Sequence, residues 1–209
     1  MKSGAGGGGH PGASHQVRII GGQWRRTPLT VVDSAGLRPT PDRVRETLFN
    51  WLGNDLSGLV CLDLYAGTGA LGLEAASRGA AAVWLADTEP RAQLALQAII
   101  ERLKAADRVR LHRGDARGLL ARLAMQGVRA DVVFIDPPFR QGELDAVMPA
   151  LAPVLAREAW VYVETEAPLA ADQVLRWCGT QAQIVRQASA GQVHYHLLRV
   201  QSEVMQERT

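Results

Sequence analysis

The sequence predicts an α/β protein built on a doubly wound, mostly parallel sheet. Strand-length apolar runs alternate with helix-period segments from residue 59 to about residue 166. Alternation of this length is what parallel strands joined by crossover helices on both faces produce. The glycine-rich stretch Gly67-Thr68-Gly69-Ala70-Leu71-Gly72 directly follows the first of those strands, where open α/β sheets place a ligand-binding turn. The last two apolar runs, within AQIVRQASAGQVHYHLLRVQ (182–201), are separated only by a turn around Ala190-Gly191. No crossover helix fits there, so an antiparallel hairpin closes the sheet.

Taken in order, residues 1–16 are Gly-rich with little to bury and read as a disordered leader. VRIIGGQWRRTPLTVV (17–32) has β-rich runs flanking Gly21-Gly22, a small hairpin or extended arm. In RPTPDRVRETLFNWLG (38–53), Val44, Leu48, Trp51 and Leu52 recur at helical spacing after a capping pattern at Thr40-Pro41-Asp42, and Gly53 ends the helix. An apolar strand at 59–64 leads into a helix over about 70–79, a strand at 82–86 and a helix over about 90–105. Then come the strand RVRLHRG, a helix through DARGLLARLAMQG, the strand DVVFIDP, a helix over about 143–156 and the strand AWVYVETE. The domain reading is a leader (1–16), an arm with a helix (17–57), a main domain (58–202) and a short tail (203–209).

Composition narrows the class. Hydrophobic residues make up 47% and charged residues 21% of the 209, room for one well-buried core and a small appendage. No apolar run approaches the roughly 20 residues that span a bilayer, and the start lacks a signal-peptide apolar region, so a cytoplasmic address and no membrane partner are expected. Cys61 and Cys178 show no metal-ligand spacing, nor do His112, His194 and His196, so no metal is expected. The net charge is only +2, but residues 17–45 hold six arginines, Arg18, Arg25, Arg26, Arg38, Arg43 and Arg45, against Asp33 and Asp42. With Trp24 interleaved, Arg18, Arg25, Arg26, Arg38 and Arg43 are candidates for contact with RNA phosphates.

The chemistry-bearing residues gather at one sheet edge. In an open α/β sheet ligands sit beyond the carboxyl ends of the strands, and successive strands deliver Asp63 with Ala66, Gly67 and Gly69, then Asp87, then Asp115 with Ala116, then Asp136-Pro137-Pro138-Phe139. The loop alone reads as a dinucleotide fingerprint, but a pyrophosphate wants little negative charge nearby. Four acids at that edge suit a cationic cofactor with hydroxyls and an amine, and S-adenosylmethionine has those groups. Asp87 is placed for the ribose hydroxyls, Asp115 and Ala116 for the adenine, and the glycines lack the Cβ that would keep a cofactor off the loop. In DPPF, the Asp136 carboxylate and the Pro137 carbonyl can hold the two N–H groups of an exocyclic base amine in line with a methyl group. The prolines stiffen that geometry and Phe139 stacks on the flipped base. Glu164 and Glu166 either line the acceptor side or are simply solvated.

RIIGGQWRRTPL, RPTPDRVRETLFNWL, LDLYAGTGALGLEAASRGA, VVFIDPPF and YVETE, in this order, closely resemble the bacterial small-subunit rRNA guanine-N2 methyltransferases of the RsmD type, over residues 17 to about 200. The resemblance implies a Rossmann-like class I methyltransferase fold with seven strands, S-adenosylmethionine as donor, and the N2 of guanine 966 of 16S rRNA, on an assembled or assembling particle, as acceptor. It implies that the Thr40 helix covers the methionine end of the cofactor, and it matches Asp63, Gly67, Gly69, Asp87, Asp115 and Asp136 to the cofactor site and Asp136 to Phe139 to the catalytic motif; a monomer is expected. Rival readings are an amino-methyltransferase acting on adenine N6, cytosine N4 or protein glutamine, an NAD(P)-dependent oxidoreductase, and an RNA-binding assembly factor without catalysis.

Overall fold

A computed structural model describes residues 17–31, 41–138, 142–179 and 182–201. Thr40, Arg38, Phe139, the leader and the tail from residue 202 lie outside the described residues. Seven strands form one sheet in the order β3-β2-β1-β4-β5-β7-β6, with β1 Val60–Asp63, β2 Ala82–Asp87, β3 Val109–Arg113, β4 Ala130–Ile135, β5 Leu155–Thr165, β6 Ala182–Ala190 and β7 Val193–Gln201. Strands β1 to β5 run parallel. Strand β7 lies antiparallel between β5 and β6, the closing hairpin expected from the Ala190-Gly191 turn.

The helices are α1 Asp42–Trp51, α2 Ala70–Ser77, α3 Pro90–Arg102, α4 Ala116–Met125, α5 Glu143–Val147 and α6 Ala171–Cys178. They cover both faces because the central strands are apolar on both. Cys61, Val83, Leu85, Val132, Phe134 and Tyr162 pack with the arm, α1, α2 and α3. Leu62, Trp84, Val133, Ile135, Val161 and Val163 pack with α4 and α6. Helix α2 is buried at every position, so it forms an inner layer between the sheet and the arm.

Two expectations needed revision. The single helix expected over 143–156 is a five-residue α5 followed by a 3-10 turn over Pro149–Val154, and β5 already starts at Leu155. Pro149 and Pro153 lack the N–H that an α-helical ladder would use there. Helix α6, which the sequence reading passed over, is a short amphipathic segment that buries Val174 and Trp177 while Leu175 points outward. At α1 the cap position falls on Pro41, with no side-chain capping bond. The Asp42 carboxylate instead accepts from Arg45 at 2.7 Å and Arg18 at 3.3 Å. Gly53, at φ +94°, ends the helix as expected.

The arm is a small hairpin, bridged antiparallel at Arg18 and Pro28. It docks on α2 through a buried carboxylate. Glu74 Oε2 accepts the Ile20 N–H at 2.6 Å and Oε1 the Gly21 N–H at 2.7 Å. Arg78 Nε lies 2.7 Å from Glu74 Oε1 and Arg45 Nη1 3.8 Å from Oε2. Lower on α2, the Trp24 N–H donates to Ser77 Oγ at 2.9 Å, and the Ser77 hydroxyl donates to the Gly21 carbonyl at 2.6 Å.

Candidate active site

The register fixes where the four strand-end acids lie. Asp63 pairs with Leu85 on β2 and with Phe134 on β4. Asp87 and Asp136 are therefore two residues further along neighbouring strands, on the same face as Asp63 and roughly 6–7 Å above it at a strand's rise per residue. Asp87 in turn pairs with Arg113, which places Asp115 two residues beyond the end of β3. Asp115, Asp87, Asp63 and Asp136 thus follow one another across β3, β2, β1 and β4. The chain reverses its winding direction between β1 and β4, the topological switch point where ligands of such sheets bind.

Asp63, Asp87 and Asp115 each hold a backbone N–H. Gly72 N–H donates to Asp63 Oδ2 at 2.8 Å, and Asp63 is 2% exposed. Burial pushes its carboxyl up to about 7, partly offset by that hydrogen bond. Gly67 N–H donates to Asp87 Oδ2 at 2.7 Å and Glu89 N–H to Asp87 Oδ1 at 2.8 Å. Asp115 caps α4, its Oδ1 accepting the Gly118 N–H at 2.7 Å. A carboxylate has about four acceptor sites, so these bonds fix each side chain in place and leave it room to accept more.

The glycine loop is built from the same contacts. Gly67 and Gly69 have φ of +52° and +77°, a backbone shape that side chains rarely adopt. The Cβ that Gly69 lacks would lie 2.7 Å from Leu96 Cδ2 and 2.8 Å from Leu73 Cδ1, so core packing as well as the positive φ favours a glycine there. Gly72 is held to glycine by Leu85, whose Cδ2 would stand 2.2 Å from an added Cβ. The Gly69 N–H donates to the Ala66 carbonyl at 2.6 Å. With the Gly67 and Gly72 N–H groups taken by Asp87 and Asp63, the three fingerprint glycines present no unused donor to a pyrophosphate.

Beyond β4, Asp136 is half-buried, Pro137 buried and Pro138 exposed. On the neighbouring strand β5, pairing of Phe134 with Tyr162 and Ile135 with Val163 sets Glu164 beside Asp136 on the same face. Glu164 is buried, and the Tyr162 hydroxyl donates to its Oε1 at 2.7 Å. Burial and the nearby Glu164 and Asp136 charges hold the Tyr162 phenol well above its ordinary pKa. Glu166 is exposed. The Tyr65 hydroxyl, just after β1, donates to Glu143 at 2.7 Å, tying the loop after β1 to the start of α5. Of the arm arginines, Arg18 pairs with Asp42, while Arg25, Arg26 and Arg43 are exposed.

Three residues of this architecture escaped the sequence reading. Glu74 was visible as the lone charge in the apolar run ALGLEAAS, and Arg45 as a charge one position from Val44 on the buried side of α1. Tyr65 carries no pattern that marks it. Among the described residues no group of three or more His, Cys, Asp or Glu side chains could hold a metal.

A twisted sheet of this order, with a glycine loop after β1 and acids at the switch point, is the fold of the Rossmann-like methyltransferases. Comparison with known proteins places the chain within that class. A family model described as "Conserved hypothetical protein 95" matches residues 17–199. The ribosomal RNA small subunit methyltransferase D of Escherichia coli strain K12 is 44% identical over 190 residues, 88% of this chain and 90% of that protein. The protein of the same name in Haemophilus influenzae is 39% identical over 159 residues, 75% of this chain and 82% of that protein. Among solved structures, the yhhF protein of Escherichia coli superposes with a TM-score of 0.76 at 40% identity, covering 90% of this chain and 99% of that one. The chain belongs to this family, whose Escherichia coli and Haemophilus influenzae members are named as small-subunit ribosomal RNA methyltransferases.

Proposed function

We propose that this chain transfers a methyl group from S-adenosylmethionine to the exocyclic N2 amine of a guanine in 16S rRNA, position 966 by the family's convention, on an assembled or assembling small ribosomal subunit. The observation that carries the reading is the row of strand-end acids at the switch point, beside a glycine loop whose three glycine N–H groups are already engaged. Such a site disfavours an anionic pyrophosphate and suits a cation bearing hydroxyls and amines. The names of the curated relatives support the rRNA substrate.

The residues present fit the donor. Asp87 accepts from the ribose hydroxyls, and Asp115 from the adenine amine. Ala116, first residue of α4, has an N–H without an intrahelical acceptor that can reach the ring. Ala66, Gly67 and Gly69 shape the floor, with Asp63 beneath the loop holding the Gly72 N–H, and the family resemblance assigns Thr40 to the methionine end. When bound, the donor supplies an electrophilic methyl group on a sulfonium.

Asp136 and the Pro137 carbonyl accept the two N–H groups of the base amine and aim its nitrogen at that methyl group. Pro137 and Pro138 fix the backbone between them, and Phe139 stacks on the base. The accelerating effects are orientation and favourable charge placement. Guanine is favoured over adenine by a second carboxylate, buried Glu164, at this edge. Guanine presents adjacent N1–H and N2–H donors, whereas adenine N1 is an acceptor, so Glu164 beside Asp136 matches guanine's edge.

Asp136→Ala tests the motif. Methyl transfer to small subunits should fall by a factor of about 10² or more, with S-adenosylmethionine binding by calorimetry retained. Wild-type turnover in this variant would remove Asp136-Pro137-Pro138-Phe139 from the mechanism.

A further inference from the structure

Basic charge in this chain is concentrated in two segments. Residues 17–45 hold six basic side chains against two acidic ones, and residues 101–131 hold eight against four; the rest of the chain carries nine basic and fifteen acidic side chains. The fold sets the two basic segments side by side. Arg102 Nη2 donates to the Pro28 carbonyl at 2.7 Å, and the Arg108 guanidinium lies 5.8 Å from the centre of the Trp24 ring. The arm therefore abuts the end of α3 and the start of β3.

From there the charge continues around the sheet edge, where β3 is the outermost strand. The guanidinium groups of Arg110 on β3 and Arg122 on α4 lie 5.1 and 5.3 Å from the Trp84 ring. Arg117 lies in the first turn of α4, near Tyr65, whose phenol is held above its ordinary range by burial and by Glu143, an effect Arg117 only partly offsets. Arg110, Arg117 and Arg122 are exposed, and none forms an ion pair among the described residues. An arginine laid against an indole keeps its charge and its fork of donors available while losing little further freedom on binding a phosphate.

We infer that the arm and the β3 edge form one continuous RNA-docking face, running from Arg25 and Arg26 past Arg110 and Arg122 to Arg117, which engages the phosphate backbone of the substrate RNA. This rests on the rRNA reading above and extends it. The arm docks at Glu74 and Ser77, toward the end of α2 that lies away from the acid row, whereas Arg117 stands at the acid-row end. The belt joins the two, so RNA held on the arm has a basic path to the site. The acidic remainder of the surface turns this face toward an incoming polyanion. The same arginines would also discourage edge-to-edge pairing of β3, a role whose loss would leave RNA binding intact.

The test compares Arg110→Gln/Arg122→Gln with the charge-preserving Arg110→Lys/Arg122→Lys. Affinity for 16S rRNA is measured over a series of KCl concentrations, with KM for undermethylated small subunits and donor binding by calorimetry alongside. Each phosphate contact contributes about 0.7–0.9 to the slope of log affinity against log salt. The glutamine pair should therefore lower that slope by about 1.5 and raise KM on the order of tenfold, with donor binding intact and the lysine pair close to wild type. A wild-type slope and KM in the glutamine pair, or a lysine pair as defective as the glutamine pair, would overturn the inference. Wild-type protein that binds RNA through this face yet leaves guanine unmodified would contradict the substrate reading and leave the belt standing.

Discussion

Asp63 illustrates how a single residue joins fold and site. It is buried, its carboxyl is raised to about 7, and it holds the Gly72 N–H. A carboxyl that is harder to ionise when folded than when unfolded keeps its proton longer in the native state. Stability is then greatest below the unfolded value near 4 and declines as pH rises from there to about 7. Asp63→Asn keeps the acceptor without the charge. Relative to wild type it should gain stability between pH 4.5 and 7, by up to about 1.4 kcal/mol per pH unit, and gain nothing further above 7. Urea denaturation across that range checks this, and parallel profiles for the two proteins would contradict it. The strand-end acids were legible in the sequence because each directly follows an apolar run. Their backbone partners were not, since Gly67, Gly72 and Gly118 N–H groups become donors to particular carboxylates only once the strands are in register.

At the scale of elements, the arm, α1 and α2 share one buried charge network. Glu74 holds two backbone N–H groups of the arm, Arg78 from its own helix and Arg45 from α1. Arg45 is fully buried, and among the described residues its Nε and Nη1 have no hydrogen-bond acceptor. Removing Glu74 would leave buried Arg45 with Asp42 as its one remaining ion-pair partner among the described residues and take the acceptor from the Ile20 and Gly21 N–H groups, and deleting one partner of a buried pair costs about 3–5 kcal/mol. Glu74→Ala should lose stability by that amount in urea denaturation and expose residues 17–31 to limited proteolysis, while Glu46→Ala, at an exposed position of α1, should do neither. Equal stability of the two variants would refute a docking role for Glu74. The sequence shows the arm as β-rich and α1 as amphipathic, but what it leaves hidden is the surface that receives them. Helix α2 is apolar but for Glu74 and Ser77, and only the folded layer order shows that its outer side is covered by the arm. The division of the expected 143–156 helix was written in Pro149 and Pro153. Helix α6, with one buried pair at Val174 and Trp177, is too short for its periodicity to stand out.

For the molecule as a whole, the strand alternation and the closing hairpin were readable because parallel crossovers and hairpins need different connection lengths. That the acids gather at one edge of the sheet also followed from the sequence, since each sits at or just beyond a strand's end. The electrostatic layout did not. Segments 17–45 and 101–131 are far apart in the chain, and only the contacts of Trp24 with Arg108 and Pro28 with Arg102 make them one face. The central claim is the acceptor atom, and mass mapping of methyl groups on undermethylated small ribosomal subunits, incubated with the protein and S-adenosylmethionine, reads it directly. The account predicts a single new methyl group on the N2 of one guanine of 16S rRNA, absent when Asp136→Ala replaces the wild type. A methyl group on adenine N6 or cytosine N4, or an unmodified particle, would contradict it.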